Sequence, residues 1–390
     1  MAAPRCTITP AVPDPSAPAI LQVLPALDAG GVEQGTVEIA QALAYAGWRP
    51  LVASAGGRLV PLLQAAGARH LALPLATKDP VNILRNAAKL ARLARAEGAS
   101  LIHARSRAPA WSALLAARRT GLPFVTTYHA PYGEGVPGKR LYNGVMARGD
   151  RVIAISRYVA ALLAERHGTD PARIRVIPRG VDPTRFDPDV PRGVQLAQFA
   201  AAWRLPDGAP VVMLPARLTR WKGGLVVIEA LARLARQDAV AVLVGADQGR
   251  HGFARELERR ARGLGVADRL RFAGHCADMP AAFMLADAVV SASTEPEGFG
   301  RAVIEAQAMA RPVIATSHGG AAETVEDGAT GLLVPPGDPA ALAAALDAVL
   351  AMPLDHRLAL GARARAAVCA RYTTAAMQAA TLAVYRELVE

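Results

Sequence analysis

The sequence predicts an α/β protein of two domains, each a parallel sheet covered by helices on both faces. Two observations predict this. Short β-like runs alternate with helical patterns from end to end, the rhythm of parallel strands joined by crossover helices. A Pro- and Gly-rich stretch near the middle, with Pro178, Gly180, Pro183, Pro188, Pro191, Gly193 and Pro206, then interrupts that rhythm before it resumes. A chain of 390 residues with 52% hydrophobic residues has enough apolar side chains for two cores.

In the first half the expected strands are Ile20–Leu24, Arg49–Ala53, His70–Leu73, Leu101–His103, Phe124–Tyr128, Arg151–Ile155 and Ile174–Ile177. In the second they are Val211–Leu214, Ala239–Val244, Leu270–Ala273, Ala288–Ala292, Val313–Ala315 and Gly331–Val334. Helical patterns cover Glu33–Ala46, Ile83–Glu97 and Ala340–Ala351. The expected organisation is a loose Pro-rich tail over 1–18, a first domain over 19–190, a second over 191–370, and a final helix over 371–390 crossing back to the first domain. The apolar run 19–27 reads as a buried strand rather than a signal-peptide core, because a Gly-Gly turn and a helical pattern follow it directly. No run reaches the roughly 18 apolar residues of a spanning helix. Cys6, Cys276 and Cys369 are scattered, which fits a reducing compartment.

The formal net charge is +11, and its distribution is uneven. Residues 1–190 hold 23 Lys and Arg against 13 Asp and Glu, whereas residues 191–390 hold 21 against 20. The excess in the first half points to an anionic partner there. Nucleic acid fits poorly, because aromatics are 5% of the chain and no reading motif is present.

Three segments carry chemistry. Ser291–Ala310 reads SASTEPEGFGRAVIEAQAMA: an apolar strand ends, and Gly298-Phe299-Gly300 opens a helix. A glycine turn at a helix N-terminus exposes unpaired N–H groups that suit phosphate. Glu297 before the helix and Glu305 about two turns along it suit sugar hydroxyls beside that phosphate. Pro215–Gly224 reads PARLTRWKGG after a strand, placing Arg217 and Lys222 where parallel sheets bind ligands. Two cations there suit a departing diphosphate. Gly30-Gly31-Val32-Glu33 lies between the first strand and first helix, where glycines admit close approach of a phosphate or substrate. It completes neither GxGxxG nor GxxxxGK[ST]. Asp187-Pro188-Asp189 matches a metal-binding DxD on paper but sits in the Pro-rich boundary and reads as a turn. No metal or other cofactor is expected.

In this order and spacing, GGVE, ARLTRWKGG and EPEGFGRAVIEA resemble the retaining glycosyltransferases of family 4, over roughly residues 20–385. The most specific piece is the Glu–seven residues–Glu pattern from Glu297 to Glu305. Ala216 departs from the family pattern, where Gly often precedes the Arg.

The resemblance implies the GT-B fold, two Rossmann-like domains facing across a cleft, and transfer of a hexose-type sugar from a UDP- or GDP-sugar with retention of configuration. It further implies that Arg217 and Lys222 contact the donor diphosphate, with Gly298, Phe299 and Gly300 supporting the same phosphates and Gly30 and Gly31 closing over them. Glu297 would hold donor-sugar hydroxyls, Glu305 the ribose, and His129, in TTYHAPYG, would lie near the transferred sugar. The base is expected near Gly274, His275 and Pro335. Catalytic residues are then His129, Arg217, Lys222 and Glu297. A nucleotide-sugar epimerase, a phosphorylase and a non-catalytic sugar-nucleotide binding protein are the alternatives.

On the acceptor side, Arg85, Lys89 and Arg92 share one face of a helix whose opposite face carries Ile83, Ala87, Leu90 and Ala94. Arg105, Arg107, Lys139 and Arg140 add charge, and Trp111 with Arg118 and Arg119 lies nearby in sequence. These favour a phosphorylated or lipid-linked acceptor, such as a lipopolysaccharide core or another membrane glycolipid. They also favour a peripheral place on the inner face of a bacterial inner membrane, in the cytoplasm.

Overall fold

The computed structural model describes residues 14–28, 30–133, 135, 137–247, 249 and 251–390. Most of the expected tail, with Cys6, and Ala29 beside the Gly-Gly turn lie outside them. Two compact units divide the chain: residues up to Pro178 together with Ala375–Glu390, and Arg179–Thr374.

The first unit is built on β1 (Ala19–Val23), β2 (Arg49–Ser54), β3 (Arg69–Ala72), β4 (Leu101–Ala104), β5 (Phe124–Tyr128), β6 (Arg151–Ala154) and β7 (Ile174–Val176). They form one parallel sheet in the order β3-β2-β1-β4-β5-β6-β7. The central strands are mostly apolar because helices cover both faces; β1 and β5 are buried along their whole length, Gln22, Thr126 and Thr127 included. The helix Thr374–Val389 packs on this sheet. Its Met377, Leu382 and Tyr385 join Ile20, Leu101, Val125 and Ile153 in one core. Polar ties reinforce the packing: Gln378 Nε2 donates to the Glu38 carbonyl at 2.7 Å, and Glu387 bridges Arg151 at 2.6 Å and Arg175 at 2.7 Å. The two guanidiniums hold the Glu387 carboxyl down at about 2.

The second unit is built on β8 (Val211–Pro215), β9 (Val240–Val244), β10 (Leu270–Gly274), β11 (Ala288–Ser291), β12 (Val313–Thr316) and β13 (Leu332–Val334). Its parallel order is β10-β9-β8-β11-β12-β13. Val212, Leu214, Leu243 and Val290 pack against Val227, Ile228, Leu342 and Leu346 of the covering helices. The Asp187-Pro188-Asp189 segment is a turn: the Asp189 N–H donates to Asp187 Oδ1 at 3.1 Å, and Asp187 also pairs with Arg365 at 3.3 Å.

In each sheet the strand order reverses once. The chain runs one way from β1 through β2 to β3, and the other way from β4. In the second sheet it runs from β8 through β9 to β10, and the other way from β11. A crevice opens at the C-terminal ends of the two strands flanking such a reversal, and ligands of open α/β sheets bind there.

Candidate functional site

The loops of the three chemistry-bearing segments fall at these two reversal points. In the second unit the loop after β8 carries Arg217 and Lys222, and the loop after β11 carries Glu297–Gly300. Small residues bring the two loops together. Gly223 has φ 77°, and a Cβ there would stand 1.8 Å from the Ala292 carbonyl oxygen. The Thr294 N–H then donates to the Trp221 carbonyl at 2.7 Å.

This clasp sets Lys222 Nζ 2.6 Å from Glu297 Oε1. The Ser293 hydroxyl donates to the same carboxylate oxygen. Both charged side chains are largely buried, 18% and 12% exposed, so their attraction is less screened than at the surface. The backbone of Glu297 is fixed from below. Its carbonyl accepts the Gly320 N–H at 2.8 Å, and a Cβ on Gly319 would come within 2.7 Å of Glu297 N and O. His318 Nε2 donates to the Ser293 carbonyl at 2.9 Å. Ser293, His318, Gly319 and Gly223 thus complete the site. Their only sequence signals are the neighbouring Gly-Gly pairs 223–224 and 319–320.

Gly300, at φ 85°, caps the helix Arg301–Ala308, and its carbonyl accepts the Val303 N–H at 3.0 Å. A Cβ on Gly300 would press on Ala321 at 2.9 Å. Phe299 is buried edge-on against Tyr372, with ring centroids 5.7 Å apart, and anchors the glycine turn from inside. Glu305 lies on this helix, 3.3 Å from Arg301. Arg217 is exposed on the loop that also carries Lys222.

Gly274 ends β10, His275 follows it, and Pro335 follows β13. These strands are the opposite edges of the six-stranded sheet, five strand spacings or roughly 24 Å apart. The expectation that both frame one base is corrected: strand order separates them.

In the first unit Gly30 (φ 142°) caps the helix Gly31–Tyr45 after β1, and His129 follows β5. His129 Nε2 donates to the Arg105 carbonyl at 2.8 Å. Arg105 follows β4 but does not belong to the expected basic surface. It is 2% exposed, beside Tyr385 and Glu38, and burial lowers its pKa. Tyr385 in turn is pushed up by burial and pairs with His103 Nδ1 at 2.6 Å, while His103 Nε2 meets Thr127 at 2.7 Å. The physical reason for the correction is the helix Thr374–Val389, which covers that strand end. Arg107 is half-buried too; it donates to Asn143 Oδ1 at 2.9 Å and lies 4.0 Å above the Tyr132 ring. Trp111 is held inward by the Tyr142 carbonyl at 3.2 Å. Arg85, Lys89, Arg92, Lys139 and Arg140 are exposed.

Among the described residues no group of three or more His, Cys, Asp or Glu side chains could hold a metal, and no helix is long and apolar enough to cross a membrane.

Two Rossmann-like units with loops gathered at their reversal points define the GT-B class of glycosyltransferase folds. Residues 29–185 match the sequence family described as Glycosyltransferase Family 4, and residues 197–367 match Glycosyl transferases group 1. A glycosyltransferase of solved structure from Rickettsia africae is 35% identical, with a TM-score of 0.88 over 96% of this chain and 99% of that one. A second structure, Anabaena Alr3699/HepE in complex with UDP-glucose, is 25% identical with a TM-score of 0.83 over 95% of this chain and all of that one. A D-inositol 3-phosphate glycosyltransferase from Geodermatophilus obscurus is 38% identical over 233 residues, which cover 57% of this chain. The chain spans half the length of that relative. The chain belongs to glycosyltransferase family 4.

Proposed function

We propose that this protein transfers a hexose-type sugar from a UDP- or GDP-sugar, with retention of configuration, to a phosphorylated acceptor held at a membrane surface. The observation that carries this reading is the Lys222–Glu297 ion pair beside the Gly300-capped helix N-terminus, at the strand reversal of the second sheet. A cation, an acid and a helix N-terminus in one crevice suit a sugar diphosphate. The UDP-glucose complex of the Anabaena relative supports the donor assignment.

Arg217, Lys222 and the helix N–H groups are assigned to the diphosphate, where they stabilise the charge that develops as it leaves. Because the chain supplies this charge itself, the reaction is expected to proceed without a metal. Glu297 is assigned to sugar hydroxyls and Glu305 to the ribose. Gly274 and His275 are assigned to the base. In the first unit, Gly30, Gly31 and His129 are the substrate-facing groups. In the proposed step the acceptor oxygen bonds to the anomeric carbon on the face from which the diphosphate oxygen departs, and that oxygen takes the acceptor proton.

On the acceptor side, the positive balance of the first half and the phosphorylated acceptor named for the Geodermatophilus relative support an acceptor bearing phosphate. The helix Pro80–Ala96 supports a membrane location. Its exposed face mixes Arg85, Lys89 and Arg92 with Val81 and Leu84, which are 54% and 51% exposed. A lipopolysaccharide-core or related glycolipid acceptor on the cytoplasmic face fits both features.

The test is incubation with single UDP- and GDP-sugars and phosphorylated glycolipid acceptors, with and without EDTA. Nucleoside diphosphate release and product NMR are read together. Release with an axial-to-axial or equatorial-to-equatorial outcome, unchanged by EDTA, is expected. Inversion or an EDTA-sensitive rate contradicts the mechanism. Release of sugar 1-phosphate from a glycan and inorganic phosphate would identify a phosphorylase instead.

A further inference from the structure

The first unit contains a second concavity, of about 860 Å³, whose lining includes Arg118, Arg140, Arg148, Arg166, Arg173 and Thr169. Among the described residues, no Asp or Glu lines it. Arg118 ends the helix leading into β5, Arg148 lies just ahead of β6, and Thr169 and Arg173 lie just ahead of β7. The cleft therefore sits by the N-terminal ends of these parallel strands. His129 and the Gly-Gly turn follow C-terminal strand ends, at the other edge of the sheet.

Several of the arginines are pre-positioned by backbone carbonyls rather than by acids. Arg140 Nε donates to the Arg166 carbonyl at 2.9 Å, and Arg173 Nε donates to the Gly149 carbonyl at 3.1 Å. The Arg148 guanidinium stands 5.1 Å from the centre of the Trp111 ring. Among the described residues neither Arg118 nor Arg148 pairs with a carboxylate. Thr169 is 5% exposed, and its hydroxyl has no hydrogen-bond partner among the described residues. Five like charges around one hollow repel one another, and a multiply charged anion relieves that repulsion. Guanidinium forks match phosphate oxygens in pairs. A buried hydroxyl without a partner adds a donor that a ligand can satisfy.

We propose that this cleft binds a phosphate-bearing anion, a phosphomonoester or a pyrophosphate, at a site separate from the sugar-transfer loops. Leu141, 67% exposed on the same lining, would lie beside the remainder of such a molecule. The phosphate can come from a lipid headgroup or from a soluble compound, and the experiment separates the two.

Inorganic pyrophosphate is titrated into the full chain by calorimetry, with Trp111 fluorescence as a local readout. The background is Arg217→Ala/Lys222→Ala, which removes both cations assigned to the donor diphosphate. Arg118→Ala/Arg148→Ala is expected to weaken pyrophosphate about tenfold or more. Thr169→Val, which removes only the unpartnered hydroxyl, is expected to weaken it several-fold and leave the unliganded melting temperature unchanged. Pelleting with phosphatidylcholine vesicles is compared with and without phosphatidic acid. Phosphatidic-acid-dependent pelleting that the double variant loses supports a lipid source. Pyrophosphate binding without pelleting supports a soluble one. Pyrophosphate affinity within twofold of the parent in both variants, with vesicle pelleting unchanged, overturns the proposal.

Discussion

The two units share one architecture and use charge in different ways at its equivalent points. At the second unit's reversal, Lys222 and Glu297 form an ion pair in the crevice, so charge is displayed where a ligand arrives. At the first unit's reversal the loop after β1 offers glycines, His129 follows the neighbouring β5, and Arg105, after β4, is sealed under Tyr385. Sheet order decides where a site opens; the side chains on the loops decide what it does.

The largest expected effect sharpens the comparison through two glycines of matching backbone. Gly223 in the second unit has φ 77° and Gly47 in the first has φ 76°, but a Cβ on Gly223 would strike the Ala292 carbonyl, whereas a Cβ on Gly47 meets nothing within 4 Å. Gly223→Ala is expected to destabilise by about 4 kcal/mol and Gly47→Ala by about 1 kcal/mol, read by denaturant unfolding. Equal losses would mean that close approach at the Lys222 loop is unimportant.

Next, Lys222→Ala removes the cation from the crevice and leaves the Glu297 carboxylate with Ser293. Turnover is expected to fall about 10²-fold or more, with circular dichroism unchanged. A smaller effect belongs to the first unit. Tyr385→Phe deletes the hydroxyl that serves His103 and Arg105, with an expected loss of about 1–2 kcal/mol in thermal or denaturant unfolding. Turnover of the folded variant should stay within about threefold of the parent. A turnover loss as deep as that of Lys222→Ala would show that the first unit's buried network also does chemistry.

The smallest effect concerns acid. The Glu387 carboxyl titrates at about 2 when folded, below its ordinary 4.5, so its stabilising contribution is present above pH 4.5 and is lost as pH falls toward 2. The side chain is about a third exposed, and solvent screening limits the contribution to about 1 kcal/mol. Glu387→Gln should therefore lower stability at pH 7 by that amount, and the gap from the parent should close in the acid limb of a stability–pH curve.

Much of this was legible in the sequence because it is written locally. Most strands are largely apolar runs, many of them closed by a nearby Gly or Pro, and the loops at the second reversal announce themselves by glycine beside charge. What escaped depends on distance along the chain. The burial of Arg105 follows from Tyr385, and Tyr385 lies 282 residues beyond His103, the partner it shares in that network. Separation of Gly274 from Pro335 follows from strand order, which local patterns do not encode. The arginines of the basic cleft come from helices and turns spread over residues 118–173, so their excess was visible only as an unlocated positive balance.

The most direct measurement compares a nucleoside diphosphate with its sugar conjugate as ligands of Glu297→Gln. In the unliganded protein Glu297 holds Lys222, so neutralising the acid should free the ammonium for phosphate while removing a partner of the sugar. Calorimetry should show the bare diphosphate binding as tightly as to the parent or tighter, with the extra affinity of the sugar conjugate lost. Both affinities unchanged, or both weakened alike, would contradict the account.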